Sequence, residues 1–250
     1  MGVPPDLDEW RAGVGRRVSR VSRHTRVTFS HGSRGRLTTR DLDRFAGGSL
    51  FDRLGRAVCA AGCIPRKELY EAWEVARRAR RLFRGGRVVD LGSGHGLLGQ
   101  VMLILDDTSP AAIAVDTSQP PCAARVHASL TAAWPRLAGR VTFLQGGLDA
   151  VPIEAGDLVV SSHACGRLSD GVIDRAIAAR SRLALLPCCH DFAVCDSGGL
   201  DGWLDPALAI DVMRAARLRA AGYRVWTQSI PEEITPKNRL LLAAPGDANG

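Results

Sequence analysis

The sequence contains no uninterrupted apolar run that approaches the roughly 18 residues needed to cross a membrane. Its first residues, Met1 to Asp6, include no apolar segment of the kind found in secretory signal peptides. These two absences argue against a membrane-spanning helix and predict a cytoplasmic protein. The seven cysteines are therefore expected to be reduced thiols rather than a disulfide framework.

Lysine is also scarce. Of the 33 lysine and arginine residues, only Lys67 and Lys237 are lysines. Arginine does not replace lysine where a compact ammonium group is needed. Each lysine lies beside a proline at the start of an element, where loops over a pocket would lie. We predict that both lysines, with their neighbours Glu68 and Arg239, face the pocket and contact a ligand. Chance placement of two residues is the alternative.

Charge is distributed unevenly along the chain. Residues 1–89 hold 20 Lys+Arg against 9 Asp+Glu, whereas residues 90–250 hold 13 against 17. Segment 11–40 contains nine arginines and no acid, so it would attract a polyanion such as RNA. A solvated tail is the alternative. Residues 1–64 are predicted to form a basic N-terminal extension, mobile over 1–35 and with short helices over 41–62.

The most informative motif joins a short apolar strand to a glycine-rich turn at Asp90-Leu91-Gly92-Ser93-Gly94-His95-Gly96. Glycine lets the backbone turn tightly and approach a ligand, and the helix that follows offers free N–H groups at its N-terminus. We therefore predict a nucleotide-type pocket here. Dinucleotide enzymes use the different spacing G-x-G-x-x-G, so a dehydrogenase is disfavoured.

Strands and helices alternate over residues 65–246, which predicts an α/β domain with a mostly parallel sheet and right-handed crossovers. Only a short, proline-containing link separates the last two strands, so they are expected to be antiparallel. A helix is predicted from Pro65 to the Gly85-Gly86 pair. Further helices are predicted at 97–106, 120–133, 168–180 and 205–221, and strands at 87–91, 111–116, 141–144, 158–161, 183–186, 223–228 and 240–243.

Ligands of open α/β sheets bind at the carboxyl ends of the strands. Asp116 ends the second strand and is predicted to bind a ribose diol, with an ordinary strand-end acid as the alternative. Gln145 and Gly146 end the third strand and would flank a base. His163 follows the fourth strand and could act as a general base, orient a substrate, or bond to Asp170 for structure alone.

The fifth strand ends in Cys188, Cys189 and His190, a set that invites a zinc interpretation. Adjacent side chains point in opposite directions from an extended backbone, which argues against it. We therefore predict no metal, and assign these residues to the polar rim of a substrate pocket.

Three motifs occur along the chain in the order found in a family of methyltransferases, which they resemble. Asp-x-Gly-x-Gly-x-Gly at 90–96 resembles motif I of class I S-adenosylmethionine (SAM) methyltransferases. The segments His-Ala-Cys-Gly-x-x-Ser-Asp at 163–170 and Pro-Cys-Cys-His at 187–190 resemble a methyltransferase-domain family that includes tRNA 2′-O-ribose methyltransferases. The resemblance implies a Rossmann-like seven-stranded sheet with helices on both faces. It also implies that SAM contacts Asp90, Gly92, Gly94 and Asp116, while His163, Asp170, Cys188 and His190 line the methyl-transfer site.

The predicted activity is therefore SAM-dependent methyl transfer to an oxygen or nitrogen nucleophile, with RNA, and tRNA in particular, as the first candidate. A small-molecule methyltransferase is the alternative, because residues 1–64 supply no Cys/His zinc module of the kind that precedes the tRNA enzymes. A non-catalytic SAM- or RNA-binding protein is the second alternative. The polar residues predicted at the ends of strands four and five argue against it.

Overall fold

The computed structural model describes residues 30–246. Six α-helices are found in this part of the chain: α1 (Leu50–Ala61), α2 (Arg66–Leu82), α3 (Leu97–Leu105), α4 (Ala123–Ala133), α5 (Arg167–Ala179) and α6 (Pro206–Ala220). The strands are β1 (Val88–Leu91), β2 (Ala112–Asp116), β3 (Val141–Gln145), β4 (Leu158–Ser161), β5 (Arg182–Leu185), β6 (Tyr223–Ser229) and β7 (Arg239–Pro245). Short 3₁₀ helices occur at Thr39–Phe45, Pro135–Leu137 and Leu200–Gly202.

The seven strands form one sheet in the order β3-β2-β1-β4-β5-β7-β6. Strands β1 to β5 are parallel, whereas β7 runs antiparallel to both β5 and β6. Four consecutive buried residues in β1 and in β4 reflect helices that cover both faces of a parallel sheet. The predicted Rossmann-like α/β fold, with its terminal antiparallel pair beside the fifth strand, is confirmed.

Helix boundaries follow local chemistry. Helix α6 begins after Asp205, whose side chain accepts a hydrogen bond from the N–H of Leu208, and Pro206 occupies the first turn. Helix α4 begins at Ala123, three residues later than predicted, because the Pro120–Pro121 pair precedes it as a turn. The other predicted helices agree to within two residues at each end.

The helices before the sheet belong to the same apolar core as the sheet. Leu37, Phe45 and Leu54 are buried and pack in one cluster with Leu98 and Leu130. The division predicted at residue 64 stays a prediction. Most of the basic segment 11–40 lies outside the described residues. Among the helices described, none is both long enough and apolar enough to cross a membrane.

The prediction that every cysteine is reduced was wrong for one pair. Cys63, in the turn between α1 and α2, forms a disulfide with Cys122, directly before α4, with a Cα–Cα distance of 6.5 Å. The two residues are 59 positions apart in the sequence, and nothing in their local pattern signals the pairing. Helix α1 packs on α4, and this contact brings the two thiols together.

Thiol counting tests this assignment. We expect five reactive thiols per chain when protein purified without reductant is unfolded in denaturant with a chelator, because five cysteines are free. Reduction before the assay should raise the number to the full seven. A Cys63→Ser variant should show one thiol more than the parent without reduction. Seven thiols in the unreduced parent would contradict the disulfide.

Candidate functional site

The candidate site lies at the carboxyl ends of β1, β2, β4 and β5. The strand order reverses between β1 and β4, and chain connections leave this point in opposite directions. Open α/β sheets bind their ligands in the crevice that results. The predicted site residues that end these strands lie along this edge of the sheet.

The glycine-rich turn has the backbone that its sequence requires. Gly92, Gly94 and Gly96 all have positive φ, at 66°, 52° and 69°, a region that favours glycine. A Cβ atom at Gly96 would stand 2.6 Å from the ring of Phe143, whereas one at Gly94 would meet no atom within 4 Å. Gly96 is therefore needed for close packing, and Gly94 leaves open space where a ligand can approach the backbone.

Asp116 closes this part of the crevice. Its carboxylate accepts hydrogen bonds from the N–H of Gly94 at 2.8 Å and from the N–H of Ser118 at 3.1 Å. A carboxylate held here can accept hydrogen bonds from a ribose diol. The narrow cleft around it is lined by Ser93, Gly94, Ala114, Asp116, Gln119, Phe143 and Leu144.

Gln145 and Gly146 support the neighbouring turn. The side chain of Gln145 is exposed and donates to the carbonyl of Thr117 at 3.2 Å. The N–H of Gly146 donates to the carbonyl of Asp116 at 2.9 Å. The two residues predicted to flank a base therefore hold the loop after β2 against the end of β3. Phe143 is the aromatic ring in the cleft, and the pattern of β3 gave no reason to select it.

Asp90 lies beneath the turn and is only 1% exposed. Its carboxylate accepts a hydrogen bond from the N–H of Gly99 at 2.9 Å, so it links β1 to the first turn of α3. Burial raises the pKa of Asp90 from 3.8 to about 7, although the Gly99 hydrogen bond opposes the shift. The negative charges of Glu68 and Asp116 add to the increase.

Helix α2 brings two buried acids to the same edge. Glu68 accepts from His95 Nδ1 at 3.0 Å, and Glu71, 2% exposed, pairs with Lys67 at 3.1 Å. Burial raises the pKa of Glu71, whereas the positive charges of Lys67 and His163 lower it. Lys67, Glu71 and His163 therefore form one electrostatic group at the site.

Sequence reasoning missed Glu71. Acids near the start of a helix are ordinarily explained by the helix dipole, which favours negative charge near the N-terminus. Glu68 and Glu71 are three residues apart, so they share a helix face, and Leu69 and Ala72 directly follow them. Acids beside the apolar stripe of a helix are the signal that could have identified a buried acidic pair.

Asp170 contacts a different partner from the one considered. Its two oxygens accept from Arg214 at 2.8 and 3.0 Å. Arg214 is 2% exposed and also donates to the carbonyl of Gly166 at 3.0 Å. Asp170 therefore anchors the first turn of α5 to α6, and its place at the methyl-transfer site stays a prediction.

His190 and Arg239 join the same ionic network. His190 Nε2 lies 2.8 Å from Asp211, and Arg239 donates to Asp211 at 2.7 Å. Although burial raises the pKa of Asp211, hydrogen bonds from His190 and Arg239 outweigh this effect and lower it below its ordinary value. Arg214 is also 3.2 Å from Asp211. The network therefore fixes the ends of β5 and β7 on α6.

Three thiols meet between the loops after β4 and β5. The Sγ atoms of Cys165, Cys188 and Cys189 lie within 4.8 Å of one another, and those of Cys165 and Cys188 are 2.8 Å apart. The expectation that adjacent cysteines diverge was wrong, because β5 ends at Leu185 and the backbone after it is not an extended strand. Lys237 interacts with Cys165 and Cys189 from the loop between β6 and β7.

Burial of Asp90 predicts a pH dependence of stability. The folded state binds the Asp90 proton more tightly than the unfolded state, so stability should fall as pH rises from about 4 to about 7. The free energy of unfolding should fall by up to ~1.4 kcal/mol for each unit of pH in this range. Urea unfolding of the parent and of Asp90→Asn at several pH values measures how the difference in their unfolding free energies changes with pH. A difference in unfolding free energy that does not change with pH would contradict the prediction.

A family model described as "Methyltransferase domain" matches residues 68–193, from the buried acids of α2 to the loop after β5. No curated protein matches the sequence. Among solved structures, an O-methyltransferase family protein from Burkholderia thailandensis is 19% identical, with a TM-score of 0.45 over 84% of this chain and 64% of that one. This chain therefore spans less than two thirds of that protein.

Two further solved structures resemble this chain to a similar degree. A protein of Pyrococcus horikoshii to which RNA methyltransferase activity is attributed has a TM-score of 0.47 at 16% identity, over 73% of this chain and 86% of that one. The structure of human N-acetylserotonin methyltransferase in complex with SAM has a TM-score of 0.44 at 15% identity. The match covers 80% of this chain and 57% of that one. Because the family model spans half of the sequence, the chain belongs to the methyltransferase domain family.

Proposed function

We propose that the protein transfers the methyl group of SAM to an oxygen or nitrogen nucleophile on RNA, with tRNA as the first candidate. The observation that carries this proposal is a basic groove of about 430 Å³ beside the glycine-rich turn. Exposed Arg36 and Arg125 line it, and His95 of the turn forms part of its wall. The groove is lined by Arg36, Cys63, Pro65, His95, Pro120, Pro121, Cys122 and Arg125.

Phosphate groups are the ligands that such a groove favours. Arginine binds phosphate through paired N–H donors, and neutralised phosphates release counterions, which gives binding its strong salt dependence. Arg36 also belongs to the basic segment 11–40. An RNA strand along the groove would pass the point where the glycine turn opens toward the cleft.

The cleft fits SAM. The open space above Gly94 admits the donor to the backbone, and Asp116 is placed to accept hydrogen bonds from its ribose. The ring of Phe143 provides an apolar wall for the adenine. Asp90 acts from below by holding the first turn of α3. Bound SAM supplies the electrophilic methyl group.

The chain's contribution to the reaction is chiefly orientation and desolvation, since methyl transfer needs an in-line approach of the nucleophile. His163 lies near the start of the loop after β4, at the same edge, and is the candidate proton acceptor. The buried carboxylate of Glu71 interacts with His163. Lys67 forms an ion pair with Glu71. This ion pair can break when Lys67 contacts a phosphate of the substrate instead.

Exposed aromatic residues support a nucleic-acid substrate. Phe192 is 65% exposed and Trp203 is 88% exposed, both between β5 and α6. Unstacked RNA bases bind by stacking on such rings. Phe192 lines the same cavity as Cys165 and Cys189, so a base stacked there would lie beside the loops that end β4 and β5.

One observation favours a small-molecule substrate instead. A cavity of about 410 Å³ lies between α6 and the β6–β7 pair, directly beside Pro187. Its wall combines apolar Leu208, Val212 and Leu241 with the charged Arg239, a composition typical of small-molecule sites. In this second candidate function, the basic groove would not take part in substrate binding.

The role of Asp116 is tested by SAM binding. Asp116→Asn should weaken SAM binding about ten- to hundredfold, because hydrogen bonds to a charged group contribute ~1.5–3 kcal/mol. Calorimetric titration with SAM measures the loss. The control is Asp149→Asn, which changes an exposed acid in the turn after β3 and should bind SAM as the parent does. Equal affinity in both variants would place the ribose elsewhere.

The RNA proposal is tested by methyl transfer from labelled SAM into total cellular RNA, compared with a small-molecule extract. We expect nuclease-sensitive label in the RNA fraction. Substituting Arg36 and Arg125 together by Ala should lower RNA affinity and make the dependence on salt shallower by about one unit per lost phosphate contact. SAM affinity should stay unchanged.

Arg219→Ala provides the matched control, since Arg219 is an exposed arginine near the end of α6. This variant should bind RNA as the parent does. Label found only in the small-molecule fraction would overturn the RNA proposal and support the cavity beside Pro187 as the substrate site.

A further inference from the structure

We propose that Cys165, Cys188 and Cys189 bind a thiophilic divalent cation, for which zinc is the first candidate. This site is separate from the SAM cleft, and the proposal does not depend on RNA as substrate. It reverses the expectation drawn from sequence, because that expectation assumed an extended backbone at the two adjacent cysteines. Cation binding can be measured without any methyl acceptor.

The arrangement of the three sulfur atoms suits a single ion. They come from two neighbouring strand ends and lie within 4.8 Å of one another. Thiolates bound to one tetrahedral zinc at ~2.3 Å stand about 3.8 Å apart. Cys165 and Cys188, at 2.8 Å, must therefore separate by roughly 1 Å when the ion enters. Cys165 is exposed, so its side chain has room to move.

The backbone around the thiols is held in place. The N–H of Gly166 donates to the carbonyl of Cys189 at 3.1 Å, which links the loops after β4 and β5. Gly166 has a φ of 55°, and a Cβ there would stand 3.3 Å from Cβ of Asp191. Buried Arg214 binds the Gly166 carbonyl from α6. The two loops that carry the thiols are thus held by backbone hydrogen bonds, and such support around the ligands is typical of metal sites.

The charges balance when the ion is bound. The three thiols release their protons to solvent as the cation binds, so the site would carry one net negative charge. The side chain of Lys237 interacts with Cys189 and Cys165 and offsets that charge. This gives Lys237 a role at the thiols.

A cavity adjoins the three thiols. His190 lines that cavity together with Cys165 and Cys189. Its Nε2 is bonded to Asp211, whereas its buried Nδ1 has no hydrogen-bond partner. A histidine bonded to a carboxylate through one ring nitrogen keeps the other available to a metal. Three thiolates with an imidazole or an open position are arrangements that zinc adopts in proteins.

Metal content tests the proposal directly. The full chain is purified with reductant and without chelator, and its zinc is measured by mass spectrometry. We expect about one zinc per chain in the parent, and a loss of most of it in Cys188→Ser and in Cys189→Ser. The control variant Cys59→Ser changes a buried thiol in α1 outside the cluster and should keep the parent's zinc. SAM binding checks that each variant is folded.

Cobalt provides a second measurement on the parent alone. Cobalt added to the metal-free protein should give thiolate charge-transfer absorption and should protect Cys165, Cys188 and Cys189 from alkylation. The proposal is overturned by a reduced parent that holds no zinc and shows no cobalt absorption. It is equally overturned by variants that keep the parent's zinc, or by a Cys165–Cys188 disulfide that excludes metal under these conditions.

Discussion

The parallel pairing of β1 with β4 is the constraint on which the rest of the site depends. The two strands are neighbours in the sheet although α3, β2, α4 and β3 separate them in sequence. Ser161, at the end of β4, donates to the carbonyl of Leu91 at 2.6 Å and fixes the two strand ends side by side. The glycine turn after β1 and the loop after β4, which contains His163, must therefore leave the sheet on either side of one crevice.

Burial explains how the acids at this crevice differ. Asp116 lies at the surface of the cleft and can offer its charge to a ligand. Asp90 lies beneath the turn, where desolvation raises its pKa to about 7 and the Gly99 N–H is its hydrogen-bond donor. Two aspartates at the carboxyl ends of neighbouring parallel strands thus differ in role, since one faces the cleft and the other holds the backbone of the turn.

A second set of ionic contacts supports the opposite wall of the crevice. Arg214 binds Asp170 of α5 and the Gly166 carbonyl, while Asp211 gathers His190 and Arg239. Gly166, Asp170 and His190 belong to the motifs that resemble the family's methyl-transfer site, yet their hydrogen bonds join them to residues of α6. Their effect is to hold Cys165, Cys188 and Cys189 together. The position of these thiols is therefore a consequence of helix α6, which lies after them in the chain.

Local patterns determined much of this protein. Glycine spacing after an apolar strand identified the turn, and the alternation of apolar segments identified the sheet, because backbone conformation and burial depend on residue type and periodicity. Tertiary structure decided the rest. Glu71, Phe143, the Cys63–Cys122 disulfide and the three converging thiols join segments far apart in sequence. Such contacts depend on how helices and loops cross the sheet, and no local pattern encodes that path.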